Sequence, residues 1–180
     1  MMVSDNASPT NHPARRTFLG VAAAALAAGV GFSWWQQHSQ TVHEEQLAKL
    51  WAAQFAQPNG SDLLLADFQG KPLVLNFWAT WCTPCIEEMP LLNAFFMENN
   101  PKNWQMIGLA IDQPSAVKRF LSQHPVHYPI GLAGLDGSQL MKDLGNEAGG
   151  LPFTLVMNAQ GRVQMRKLGK LTAQEIQSWA

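Results

Sequence analysis

"NFWATWCTPCIEEMP", Asn76 to Pro90, carries both cysteines of the chain, two residues apart, where an apolar run ends and a helical pattern begins. The run itself, "PLVLNFW" from Pro72 to Trp78, has strand length and no polar alternation, which suits a central strand buried on both faces. From Cys82 to about Met97 the residues Met89, Leu92, Phe95 and Phe96 gather on one side of a helix. A strand feeding directly into a helix places Cys82 near the positive end of the helix dipole, beside unpaired backbone N–H groups. A thiolate is stabilised there and the thiol becomes more acidic, as an attacking sulfur near neutral pH requires. Cys85 lies one turn further on the same face, within bonding reach of Cys82.

Three uses compete for such a pair. As a staple it closes so small a loop that the unfolded chain loses little entropy, roughly 2 kcal/mol. A zinc site needs four ligands, and there is no second CxxC; His124 and His127 flank Pro125 in a loop, poorly placed to complete one. Covalent haem would need His after Cys85, where Ile86 stands. Two thiolates alone can carry Cu(I), so a copper-binding and delivery module remains the alternative from a different class. A reversible redox pair makes the best use of the position.

Working outward, Pro58-Asn59-Gly60 breaks the chain, and "DLLLADFQGKP" reads as a short strand closed by a turn at Gln69-Gly70. "WQMIGLAI", Trp104 to Ile111, is a second buried strand, and "PSAVKRFLSQH" a helix with proline in its first turn. "YPIGLAG" reads as a short strand or loop, and "SQLMKDLG" as a short helix capped by Gly145. "FTLVMNAQGRVQMRKLG" predicts two strands joined through Asn158 to Gly161. In the last segment Thr172 and Glu175 form a capping-box signature. Strands alternating with helices, then a hairpin and a helix, argue for an α/β sandwich around a mixed sheet.

The chain of 180 residues, 47% hydrophobic and 14% charged, is long enough for one domain and an appendage. Lysine and arginine, 12 in all, nearly balance 13 acidic residues and do not cluster, so no nucleic-acid surface is indicated. The appendage is N-terminal: residues 1–16 are polar with Arg15-Arg16 at the end, and residues 17–35, "TFLGVAAAALAAGVGFSWW", lack any charge. As a helix that run spans about 28 Å, close to a bilayer core. Basic residues before it and Trp34-Trp35 after it fit a transmembrane anchor with the C-terminal bulk outside the cytoplasm. "ARRTFLG" also resembles a twin-arginine export signal, so anchor and cleaved signal both stand. Residues 36–60 read as a linker, partly helical, with Leu47, Leu50, Trp51 and Phe55 at helical spacing, leaving 61–180 as the domain.

The motif at Asn76 to Pro90, together with "GGLPFTLV" about sixty residues later, resembles the thioredoxin superfamily, specifically its TlpA/ResA-like branch of thiol-disulfide oxidoreductases. The resemblance covers most of the chain from about Ser61. It implies a thioredoxin fold, a central mixed β-sheet flanked by helices, with an N-terminal hairpin and an inserted strand-helix element around Ser115 to Leu144. It implies Cys82 as attacking cysteine, Cys85 as resolving cysteine and Cys82-Cys85 as a redox-active disulfide. Trp81, Pro84, Leu151 and Pro152 would meet the substrate, Pro152 as the cis-proline whose neighbour Leu151 offers its backbone to an extended segment. Pro90 matches the proline inside the active-site helix.

One departure is informative. Thioredoxins carry a buried aspartate where this chain has Asn76. Glu88, three residues after Cys85 on the same face, matches the branch's active-site glutamate and becomes the candidate proton handler; the alternative is a solvated acid near the helix start. Glu87, turned away, should face solvent. Trp78 and Trp104 read as core residues, Asp112 as a cap for the following helix. The resemblance implies reduction of disulfides in exported proteins, such as apocytochromes or copper-site proteins, with electrons from a transmembrane thiol carrier of the DsbD/CcdA type and no cofactor. An oxidase or isomerase role is the nearest enzymatic alternative.

Overall fold

A computed structural model of the chain describes residues 44–180. The expected polar N-terminus, the 17–35 segment and the start of the linker lie outside the described residues. Seven strands form one mixed sheet in the order β2-β1-β5-β4-β3-β6-β7. β1 (Gln54–Ala56) and β2 (Asp62–Leu64) make the antiparallel N-terminal hairpin; β3 (Leu73–Trp78) and β4 (Gln105–Ala110) run parallel at the centre. β5 (Ile130–Leu132) extends the parallel part, and β6 (Phe153–Met157) and β7 (Val163–Leu168) close the other side as a hairpin, with β6 antiparallel to β3.

Residues 44–52 are helical (α1). α2 (Thr83–Asn99) follows β3, α3 (Pro114–Gln123) follows β4, α4 (Gly134–Asp143) follows β5, and α5 (Ala173–Gln177) ends the fold. α3, β5 and α4 occupy the stretch around Ser115 to Leu144 where the resemblance implies an inserted strand-helix element.

All six residues of β3 are buried, as a strand covered on both faces must be. Its side chains divide by parity. Leu73, Leu75 and Phe77 join a core with Leu50, Leu140 and Met141 of α1 and α4. Val74 and Trp78 face the opposite core, built from Cys85, Met89 and Leu92 of α2, Val117 of α3 and Ile176 of α5. Asn76 shares that second face and is the polar interruption in it. Trp78 is a core residue, fully buried against Phe120, whereas Trp104 is half-buried and packs edge-on against Phe95 at the margin of that core.

Local chemistry closes the elements. The N–H of Gly145 bonds Lys142 O at 2.9 Å, and that of Asn146 bonds Met141 O at 3.1 Å, a paired C-terminal cap that needs the positive φ of 103° at Gly145. Thr172 and Glu175 make the reciprocal capping box at α5. In the β6–β7 turn Asn158 Oδ1 accepts from the N–H groups of Gln160 and Arg162.

Two expectations are corrected. Phe55 does not continue the helical stripe of Leu47, Leu50 and Trp51; it lies on β1, paired with Leu63 in the hairpin and buried in the core on that face. The domain boundary moves with it. The compact unit runs from Glu45 to Ala180, so α1 and β1 belong to the domain and not to a linker ending at residue 60.

Candidate active site

β3 ends at Trp78, and the chain turns through Ala79 to Cys82, closed by the Cys82 N–H on Ala79 O at 3.2 Å. Cys82 is the N-cap of α2, in extended conformation, with Pro84 in the first turn where a missing N–H costs nothing. Cys82 and Cys85 are joined in a disulfide, with Cα atoms 5.3 Å apart. Cys85 is fully buried and Cys82 is 5% exposed, so a partner sulfur has access only to Cys82.

The side chains around that opening match their assigned places unequally. Trp81 is 68% exposed beside it. Leu151 packs against the cluster that contains both cysteines, and the Leu151–Pro152 bond is cis. The register Phe77↔Phe153 sets the start of β6 beside the end of β3, which brings Leu151 and Pro152 to the same end of the sheet as the cysteines.

Glu88 is fully buried, not solvated. Asn76 Nδ2 donates to its Oε1 at 2.9 Å and to Thr154 Oγ1 at 2.9 Å, and the backbone N–H of Leu171 donates to its Oε2 at 2.8 Å. Burial pushes the Glu88 carboxyl above its ordinary value, while the Leu171 and Asn76 hydrogen bonds and the Lys170 ammonium pull the other way. A carboxyl held between those influences is suited to take and release a proton. Glu87, one residue earlier, faces outward and pairs with Lys170 at 2.6 Å. Pro90 lies inside α2 and leaves the Ile86 carbonyl without a helical donor.

Sequence reasoning missed three partners. Thr154 is a polar residue inside the apolar run of β6, a signal that was readable. The Leu171 N–H comes from the loop after β7, and no side-chain pattern announces it. Asp112 does not cap α3, whose N-cap is Gln113; its Oδ1 accepts from the Gln113 N–H at 2.7 Å, and its Oδ2 accepts from the Thr80 N–H at 3.0 Å and from the Thr80 hydroxyl. His124 stacks on Phe120, and the backbone N–H of His127 bonds Asn93 Oδ1. No group of three or more potential metal ligands occurs among the described residues.

Comparison with known proteins agrees with this architecture. The chain is 29% identical over 157 residues to the thiol-disulfide oxidoreductases ResA of Bacillus cereus and of Bacillus anthracis, covering 86% of this chain and 88% of each relative. In fold it resembles StoA from Bacillus subtilis, with a TM-score of 0.57 at 23% identity over 71% of this chain and 96% of that one. A secreted disulfide oxidoreductase of Mycobacterium tuberculosis, described as homologous to DsbE of E. coli, superposes with a TM-score of 0.61 at 22% identity, covering 74% and 95%. Residues 46–178 match the sequence model of the redoxin family. The chain therefore belongs to the redoxin family, as a TlpA/ResA-like thiol-disulfide oxidoreductase of the thioredoxin type.

Proposed function

We propose that this protein reduces disulfides in exported proteins, outside the cytoplasm and tethered to the membrane by residues 17–35, with Cys82 as attacking and Cys85 as resolving sulfur. The observation that carries this reading is the asymmetry of the pair: one disulfide at a helix start, one sulfur with slight exposure and the other fully buried, one helical turn before a buried acid. In the dithiol form the Cys82 thiolate attacks one sulfur of a substrate disulfide, forming a mixed disulfide and releasing the first substrate thiolate. Cys85 loses its proton to Glu88 and attacks Cys82 Sγ. The second substrate thiolate leaves, and the two electrons of the dithiol end on the substrate. The Cys82–Cys85 disulfide seen here is the product state of that step.

Trp81 and Pro84 flank the incoming sulfur, and the Leu151 backbone pairs with an extended substrate segment. A transmembrane thiol carrier of the DsbD/CcdA type returns the electrons, and apocytochromes and copper-site proteins are the proposed substrates. The names of the ResA relatives support the chemistry, and the uncharged 17–35 run supports the tether.

A Cys85→Ser variant expressed in cells should accumulate mixed disulfides through Cys82. If it accumulates none while the reduced wild type holds one copper per protein, the reading as a reductase fails. Direction is tested by the reduction potential. A value near that of thioredoxin, about −270 mV, supports reduction, and one near that of strong periplasmic oxidants, about −120 mV, reverses it.

A further inference from the structure

We propose that Asp112 is a positioning residue for Cys82, holding the turn that presents the sulfur while its charge opposes the sulfur's ionisation. This rests on the reading of Cys82 as the attacking cysteine. The paired part of the β3–β4 ladder ends at Trp78↔Ala110, and the last bond across it is the Ile111 N–H on Trp78 O at 2.8 Å. Beyond it the Ala79–Cys82 turn has no strand neighbour. Cys82 makes no side-chain capping bond at the N-terminus of α2, and it is held there by its backbone alone, with its N–H on Ala79 O at 3.2 Å and its carbonyl accepting from the Ile86 N–H at 3.1 Å.

A side-chain hold comes from outside. One oxygen of Asp112 takes both donors of Thr80, the N–H at 3.0 Å and the hydroxyl, while the other takes the Gln113 N–H at 2.7 Å. Thr80 is the second residue of the turn and Cys82 the fourth, so one carboxylate on the neighbouring loop clamps the chain two residues before the sulfur. Its three hydrogen bonds outweigh burial and hold the Asp112 carboxyl below its ordinary value, which keeps it charged wherever thiol exchange runs.

The charge works against the position. Thr80 and Cys82 Cα atoms lie within about 7 Å of each other along the chain. Asp112 Oδ2, 3.0 Å from the Thr80 nitrogen, is therefore within about 12 Å of the Cys82 Cα, and an anion at that range raises a thiol pKa, against the lowering by the helix start. The buried Glu88 follows Cys85 by one helical turn, and the charged groups that act on it are Lys170, paired with Glu87, and Glu175, paired with Lys167.

Two substitutions separate the effects, because Asp112→Asn and Asp112→Ala both remove the charge and only alanine removes the acceptor for Thr80. Reduced wild type, Asp112→Asn and Asp112→Ala are alkylated with iodoacetamide across pH, with peptide mapping of the modified sulfur. Each is then equilibrated with glutathione redox buffer. In Asp112→Asn the Cys82 pKa should fall by about 0.5 to 1 unit, with the thiolate-specific rate within twofold of wild type. Asp112→Ala should show the same fall together with a dithiol-to-disulfide equilibrium constant about fivefold below that of Asp112→Asn, the order expected when a hydrogen bond is lost.

Thr80→Val, which keeps the charge and loses the hydroxyl bond, should lower that constant without lowering the Cys82 pKa, and it carries the geometric arm if the alanine protein does not fold. A Cys82 pKa unchanged in Asp112→Asn, or equal equilibrium constants in the asparagine and alanine proteins with Thr80→Val like wild type, overturns the proposal while leaving Cys82 as attacking sulfur. First alkylation at Cys85 overturns that reading and the proposal together.

Discussion

Glu88→Gln tests the buried acid through stability rather than through turnover. In the oxidised protein neither cysteine titrates, and the substitution changes a carboxyl into a near-isosteric neutral group. The folded Glu88 carboxyl stands above its ordinary value of 4.5, because burial outweighs the Leu171 and Asn76 hydrogen bonds and Lys170, and Glu175 adds to the rise. A group whose folded pKa is raised binds more protons in the folded state. Its stabilising contribution is therefore complete below pH 4.5 and is lost as pH rises through the folded value. One proton sets the maximum slope at about 1.4 kcal/mol per pH unit.

Urea unfolding of both oxidised proteins between pH 4 and pH 8 yields a difference curve in which every shared titration cancels. The groups held low, Asp112 below its ordinary value and Glu175 down to about 2, act in the opposite sense, as pH falls, and are common to both proteins. At pH 4 the two should agree within about 1 kcal/mol, since the Asn76 Oδ1 is buried without a partner and can accept from the new amide. Above that, wild type should lose stability relative to Glu88→Gln. Parallel curves over the whole range would refute the desolvated carboxyl and, with it, Glu88 as proton handler for Cys85.

Gly108→Ala places a Cβ 2.6 Å from Ile130 Cδ1, 3.0 Å from Tyr128 and 3.2 Å from Trp78 Nε1, on the strand paired with Asn76. It should cost about 1–3 kcal/mol in denaturant unfolding. Thr172→Ala removes the acceptor for the Glu175 N–H and half of the capping box, and should lower stability by about 1 kcal/mol. Trp81→Ala, at an exposed position, should leave stability within about 0.5 kcal/mol of wild type. It should slow exchange with a protein disulfide severalfold while iodoacetamide alkylation of Cys82 proceeds at the wild-type rate.

What was legible in the sequence was what local chemistry writes. β3 reads from an apolar run broken only by Asn76, α5 from Thr172 and Glu175, and the redox pair from two cysteines at the junction of a strand and a helix. Glu88 was found by helical spacing from Cys85, and Asn76 by its departure from a familiar pattern. The assignment of Phe55 to a helix failed because β1 is three residues long, too short for alternation to outweigh the preceding helical stripe. The contacts that fix Glu88 and Thr80 join residues 83 and 32 positions apart, and such pairings follow from the sheet order rather than from any neighbouring residue.

The loop after β7 joins parts of the site that the sequence keeps far apart. The Gly169 N–H bonds Pro152 O at 2.8 Å, and two residues later the Leu171 N–H bonds Glu88 Oε2 at 2.8 Å. The platform at the cis-proline and the buried acid one helical turn after Cys85 thus share one three-residue brace. Their spacing is not free to drift separately: a residue inserted or deleted between Gly169 and Leu171 breaks the spacing that lets both bonds form. Loop grafting on this scaffold meets its tightest constraint at Gly169 to Leu171, a stretch that contains no cysteine and no acid.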